Sequence, residues 1–230
     1  FSRSIFSKNN FKAYKDIKKL ILEKGYDLIH VHTPIASALT RFACRKNKNM
    51  KVFYTAHGFH FYKGAPLQNW IIYYPIEKFL SRYTDCIITI NEEDYNIAKS
   101  KNFKAENIKL VPGVGIDLKK FEIQTSKKKA QVRKEYGYKD QDFILFYAAE
   151  LNSNKHQDLL IKAVNILKGR IPCIKLLLAG SGPLENHYKR QVELLGLSKN
   201  IEFLGYRKDV ANLLMISDVA VASSRREGLP

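Results

Sequence analysis

Gly180 and Gly182 follow directly on the apolar run 174–179 and lead into Pro183. A buried strand that breaks into glycines and then into a helix start can hold an anion. Glycine lets the chain turn sharply and a ligand approach, and a helix N-terminus favours negative charge. Pro183 suits the first turn of that helix. Taken alone, the junction serves equally as a tight turn with no ligand. The third glycine position of a G-x-G-x-x-G fingerprint is Glu185, so a dinucleotide site fits poorly, although Glu202 lies at a distance suited to a ribose-binding acid. His30 and His32, two apart on a strand, share a face as a metal pair would. Ligation needs further groups, and only His57 and His60 are near in sequence with no H-E-x-x-H helix, so no metal is expected. His57 follows a strand directly, with Gly58 beside it to let a ligand near the backbone. Lys155 opens a helix, where a cation is unfavourable unless an anion shares the terminus. Arg207-Lys208-Asp209 forms a charged turn after one strand, and Arg225, Arg226 and Glu227 follow the last. A nucleophile elbow, a Walker lysine motif and a C-x-x-C pair are all missing, which removes several enzyme classes.

These residues need elements to place them. The periodicity predicts an amphipathic helix over 12–23, a strand over 26–32, a helix over 35–45 and a strand over 51–56. An aromatic helix over 67–83, a strand over 86–90, a helix capped by Asn91 with Asp94 three residues on, and a strand over 108–111 complete the first half. Residues 118–142 break the pattern and read as a linker with the first helix of a second domain. Alternation then resumes: strands at 143–148, 174–179, 201–204 and 219–222, helices at 155–168, 183–195 and 210–216. The expected fold class is therefore α/β, with two doubly wound parallel-sheet domains, and ligands bind beyond the carboxyl ends of such strands.

The chain has 39 basic and 22 acidic side chains, a net charge of +17, which attracts an anionic partner such as nucleic acid, an acidic membrane or a phosphorylated substrate. The excess is spread: 21 basic to 11 acidic residues up to Ile123 and 18 to 11 after it, which argues against a dedicated basic tail. Cys44, Cys86 and Cys173 are too few and too far apart for a disulfide framework or zinc site, and a reduced, cytosolic setting follows. No apolar run reaches membrane-spanning length, so membrane contact would be peripheral. Both ends read as cut, at Phe1 in polar sequence and at Pro230 directly after a strand.

Several segments fall just after strands in a fixed order. They are Asp-Leu-Ile-His-Val-His-Thr-Pro at 27–34, Thr-Ala-His-Gly-Phe at 55–59, Pro-Gly-Val-Gly-Ile-Asp at 112–117 with Phe121, and Leu-Ala-Gly-Ser-Gly-Pro at 178–183. Phe-Leu-Gly-Tyr-Arg at 203–207 with Asp209-Val210, and Ser217-Asp218-Val219 through Ser223-Ser224 to Glu-Gly-Leu-Pro at 227–230, complete the set. Together they resemble the family-4 retaining glycosyltransferases of the GT-B fold, especially the bacterial capsule and exopolysaccharide branch. The resemblance implies two Rossmann-like domains, both incomplete: an acceptor-side domain at 1–123 lacking its first strands, and a truncated nucleotide-sugar domain at 124–230. It implies that Lys155 neutralises the donor diphosphate and that Tyr206 and Arg207 lie at the base. Gly180, Gly182 and Gly228 would border the nucleotide. Glu227 would be the first glutamate of an E-x7-E motif near the donor sugar, and His57 would face the sugar from the first domain. No metal is implied, because cationic side chains and a helix N-terminus can stabilise the departing diphosphate.

The implied partners are a nucleotide-sugar, uridine-linked by default, a glycan acceptor on a polyprenyl diphosphate, and the anionic inner face of the cell membrane. The aromatic segment 59–83 would suit that lipid, or form an ordinary aromatic core. The chain departs from the family where Ala149-Glu150-Leu151 stands in place of a Gly-Arg-Leu segment, since a carboxylate repels diphosphate. The second glutamate of E-x7-E would fall after Pro230, so the piece is expected to be inactive alone. Two other readings remain: an NAD-dependent dehydrogenase, and a basic nucleic-acid-binding protein, against which the dispersed lysines speak.

Overall fold

In the computed structural model, residues 7–113 and 115–228 are described. They form two compact units. One runs to Gly115 and also includes Glu227 and Gly228; the other is 116–226. The boundary lies in the glycine turn at Gly115, ahead of Ile123, and Glu227 and Gly228 belong with the first unit.

The first unit contains α1 (Lys8–Lys24), β1 (Leu28–Val31), α2 (Pro34–Cys44), β2 (Lys51–Ala56), α3 (Leu67–Leu80), a 3-10 turn (Ser81–Tyr83), β3 (Cys86–Thr89), α4 (Glu92–Ser100) and β4 (Asn107–Leu110). Its strands are all parallel, in the order β1-β2-β3-β4. Tyr54, Phe59, Phe61, Ile87 and Phe103 form its core, with Trp70 and Tyr74 packed against them. Most of the aromatic segment is therefore core, and the exposed apolar residues of α3 are Leu67, Ile71, Ile72, Ile76 and Phe79. Arg41 is fully buried, 2.7 Å from Glu77, with its guanidinium 4.1 Å over the Tyr54 ring. Asn91 caps α4 by accepting the Asp94 amide. Buried Asp94 in turn accepts the Phe59 amide at 2.9 Å, which fixes the loop that leaves β2.

The second unit contains α5 (Ser126–Glu135), β5 (Phe143–Ala148), α6 (Gln157–Leu167), β6 (Ile174–Ala179), α7 (Glu185–Leu194), β7 (Ile201–Gly205), α8 (Val210–Ile216) and β8 (Val219–Ala220). Its sheet order is β7-β6-β5-β8, all parallel. Alternation along β6 explains why an unbroken apolar run sits there. Ile174, Leu176 and Leu178 pack under α6 and α7, while Leu177 and Ala179 pack with Val132 of α5 and Leu213 of α8. Asp218 secures short β8: its carboxylate takes Lys129 Nζ at 2.8 Å, Arg133 Nη2 at 2.7 Å and the Ile144 amide at 2.8 Å. Burial pushes this carboxyl up, but those three bonds outweigh it and hold it below the usual carboxylate range.

Three local expectations shift. Lys155 lies in the turn before α6, whose first residue is Gln157, because His156 adopts a left-handed conformation (φ 56°) and breaks the helix there. Pro183 likewise precedes α7, and β8 spans two residues where four were expected. Val114 of the 112–117 segment and Leu229 and Pro230 of the last segment lie outside the described residues.

Candidate functional site

Strand order decides where a ligand can sit on the second unit. From β5 the chain steps to β6 and then β7, and returns to the far side of β5 with β8. The loops after β5 and β8 thus diverge at a topological switch point, where open α/β sheets bind ligands. Lys155 lies in that first loop. Asn152 Oδ1 accepts the Asn154 and Lys155 amides, each at 3.0 Å, and wraps the turn. The Lys155 carbonyl accepts Ser223 Oγ at 2.8 Å, and Tyr147 Oη lies 2.7 Å from Ser224 Oγ. The Arg225 amide donates to the Asn154 carbonyl at 2.8 Å, and Asn154 Nδ2 to the Arg226 carbonyl at 3.0 Å. The half-buried lysine is therefore held on a frame made by both loops of the switch point.

Gly180 and Gly182 border this frame for a packing reason. A Cβ on Gly180 would run into the Ala149 carbonyl, and one on Gly182 into the backbone of Leu151. Leu151 donates its amide to the Ser181 carbonyl at 3.1 Å and accepts the Leu184 amide at 3.0 Å, so the loops after β5 and β6 touch backbone to backbone. The close approach that these glycines permit is made by the neighbouring loop. Gly180 also donates to the Gly205 carbonyl at 2.7 Å, which brings the end of β7 alongside. Beyond it Tyr206 is 79% exposed. Arg207 instead grips Asp209 through Nε (2.8 Å) and Nη2, and Asp209 also accepts Tyr136 Oη at 2.6 Å. The Arg207 and Tyr136 hydrogen bonds hold the Asp209 carboxyl well below its usual range. Arg207 thus acts as a clamp on the start of α8, and Tyr206 is the exposed member of the pair.

Glu150, the residue out of keeping with a diphosphate site, is exposed and accepts Asn152 Nδ2 at 3.0 Å. Glu202 lies near the amino end of β7 and accepts Tyr138 Oη at 2.8 Å. Glu185 pairs with Lys189 at 2.7 Å on α7. A ribose acid belongs at the carboxyl end of a strand, so Glu202 is misplaced for a dinucleotide.

On the first unit the carboxyl ends of β1 and β2 carry imidazoles. These strands pair in register up to Val31 and Tyr54, so His32 comes level with Thr55 and its ring reaches diagonally to His57, two residues further along. His32 Nδ1 lies 3.1 Å from His57 Nε2, and both rings are exposed. The His30 ring lies against His32, tilted by 40° with centroids 4.3 Å apart, and its Nε2 lies 2.8 Å from Thr55 Oγ1. Burial, then the neighbouring His32 and His57, holds the His30 imidazole below its ordinary value. His60 points elsewhere and stacks on Tyr73, 4.6 Å between centroids. Gly228 rests against this cluster: a Cβ there would overlap the His57 carbonyl oxygen and lie 3.4 Å from Ile90 Cδ1. Glu227, just before it, is half-buried. Among the described residues, no group of three or more His, Cys, Asp or Glu side chains is arranged to hold a metal, and no helix is long and apolar enough to cross a membrane.

Lys155, Gly180 and Gly182 thus share one edge of the second unit, with Tyr206 and Arg207 further along it, while His57 and Gly228 meet on the first. Sequence reasoning missed the Asn152 turn and the Ser223 and Ser224 contacts, which depend on β8 lying beside β5. It also missed the His32–His57 contact, for which two histidines ending neighbouring strands were the available signal.

Comparison with known proteins identifies relatives of the chain and of its fold. A family model described as glycosyl transferases group 1 matches residues 128–230, and one described as glycosyl transferase 4-like matches residues 1–91. The chain is 45% identical over 229 residues to EpsD of Bacillus subtilis, named as a glycosyltransferase, covering 99% of this chain and 60% of that protein. It is 28% identical over 232 residues to a UDP-Gal:alpha-D-GlcNAc-diphosphoundecaprenol alpha-1,3-galactosyltransferase of Escherichia coli, covering 99% of this chain and 59% of that one. The crystal structure of Anabaena HepE in complex with UDP and glucose superposes with a TM-score of 0.76 at 19% identity, over 96% of this chain and 59% of that one. The chain spans about 60% of the length of the curated relatives it matches over its whole length.

Proposed function

Because this chain belongs to the group 1, GT4-like glycosyltransferases of the GT-B fold, we propose that its protein moves a sugar from a UDP-linked donor to a lipid-linked glycan acceptor in exopolysaccharide synthesis. The observation that carries the reading is Lys155 at the switch point of the second unit, its backbone held by Asn152 and Ser223. A cation on a rigid frame stabilises the charge that develops on a departing nucleoside diphosphate without reorganising during the reaction. In this reading Tyr206 stacks on the base, and Arg207 keeps that turn in place through Asp209. His57 contacts the sugar and Glu227 lies near it. Attack on the face that the diphosphate leaves would retain the anomeric configuration. No metal or other cofactor takes part.

The acceptor class rests on two supports. The Escherichia coli relative is named for an undecaprenol-linked acceptor. Lysine-rich α1 and the exposed Leu67, Ile71 and Ile72 of α3 suit the anionic inner surface of a cell membrane, where we place the protein as a peripheral, cytoplasmic enzyme. The dehydrogenase reading loses its acid with Glu202 bound to Tyr138. Calorimetric titration with UDP, against ADP, GDP and NAD, tests the donor site. Lys155→Ala should weaken UDP binding by about tenfold or more, the worth of a charge-assisted contact. Tight NAD binding, or UDP binding that the substitution leaves unchanged, would refute the assignment.

A further inference from the structure

We infer that His32 is a positioning residue for His57, holding its ring through a direct imidazole–imidazole hydrogen bond so that His57 Nδ1 is left as an acceptor for a sugar hydroxyl. The inference rests on the reading of His57 given above. His32 Nδ1 and His57 Nε2 are 3.1 Å apart and their ring centroids 5.3 Å, at 30° between planes. Such a gap holds one proton, because one nitrogen must donate and the other accept. Two arrangements of a neutral pair satisfy this. In one, both rings carry their proton on Nδ1; in the other, both carry it on Nε2. The second uses the tautomer that a free histidine side chain prefers, and it makes His57 Nε2 the donor. His57 Nδ1 is then a bare lone pair, able to accept from a hydroxyl and unable to donate to one.

The surroundings brace the pair on its own side. His30 packs against His32 in a tilted contact, 4.3 Å between centroids, and is anchored on Thr55 Oγ1 at 2.8 Å, so His32 is backed by a ring that is itself tied down. Asp94 pins the loop through the Phe59 amide, and the His57 carbonyl lies against Gly228. The ring of an exposed strand-end histidine would otherwise sample several rotamers, and a contact displaced by about 1 Å can cost on the order of a hundredfold in rate. His32 does not itself meet the sugar in this arrangement; it acts through His57.

The test combines a spectroscopic and a kinetic readout. With nitrogen-15-labelled histidine, the wild type should show a protected proton on His57 Nε2, with scalar coupling across the bond to His32 Nδ1. His32→Ala should abolish that signal. His32→Asn places an amide where Nδ1 stood and should restore a protected His57 proton. Sugar transfer by the whole protein, of which this chain is a part, should follow the same order: kcat in His32→Ala falls roughly tenfold, the donor KM stays within about twofold, and His32→Asn recovers most of the rate. Absence of the coupling, a proton found on His32 Nδ1, or transfer that His32→Ala leaves untouched would overturn the proposal. If His57→Ala leaves transfer intact while the coupling is present in the wild type, the reading of His57 fails and the role of His32 falls with it.

Discussion

The two units use the same strand–helix alternation and build their carboxyl edges by different means. In the first, the strands follow in chain order, β1-β2-β3-β4, and the edge is furnished mostly by side chains touching side chains, His30 on Thr55 and His32 on His57, with the Gly228 backbone against the His57 carbonyl. In the second, order reverses at β5, and the edge is fixed by backbone touching backbone, with Gly180 and Gly182 against Ala149 and Leu151. Side-chain contacts can be exchanged with little effect on the fold, because exposed rings contribute little burial. Backbone contacts through glycine cannot, because any Cβ enters space that another main chain occupies.

The sharpest way to break this comparison is Gly182→Ala. It should destabilise the second unit by about 3 kcal/mol or more, the cost of overpacking against main chain that cannot yield. Urea unfolding measures it, and a loss below about 1 kcal/mol would mean that the loops can part. Next in size is Asp218→Asn, which weakens the tie between α5, β5 and β8 and should cost about 2 kcal/mol. Its folded carboxyl titrates below the unfolded value of about 3.9. The stabilisation is therefore fully present above that value and is lost as pH falls through the folded one. The gap between wild type and Asp218→Asn should hold from neutral pH to about pH 4 and narrow in more acid solution. A gap that fails to narrow below about pH 4 would assign the effect to shape instead of charge. The smallest effect is expected on the other unit: His57→Ala should change stability by less than about 0.5 kcal/mol while sugar transfer drops. A large stability loss there would make the histidine row a structural brace and erase the contrast.

How much of this could be read in advance differs by level. The strands 51–56, 143–148 and 174–179 and the helix 210–216 stand where periodicity put them, since each buries a face whose spacing is written in the chain. Lys155 was placed at a helix start and lies two residues ahead of it, because the left-handed backbone at His156 carries no mark in the residue type. Arg207 read as a base-side residue, and its guanidinium is committed to Asp209, two residues on, a bond that depends on how the turn closes. The aromatics of 59–83 gave no sign of which would be core, and Phe59, Phe61, Trp70 and Tyr74 went inward because α3 and α4 bring a common apolar space to them.

Local chemistry is thus legible from residue types: two parallel sheets, glycines at a strand end, a lysine close to a helix start, histidines after strands. Strand order belongs to the tertiary structure alone, because each strand's hydrogen bonds and apolar faces can be satisfied by more than one neighbour. Only the packing of α5 and α8 on one face and α6 and α7 on the other selects β8 beside β5. That choice creates the switch point and holds Lys155 there. In the first unit, the pairing of β1 with β2 sets one imidazole 3.1 Å from another.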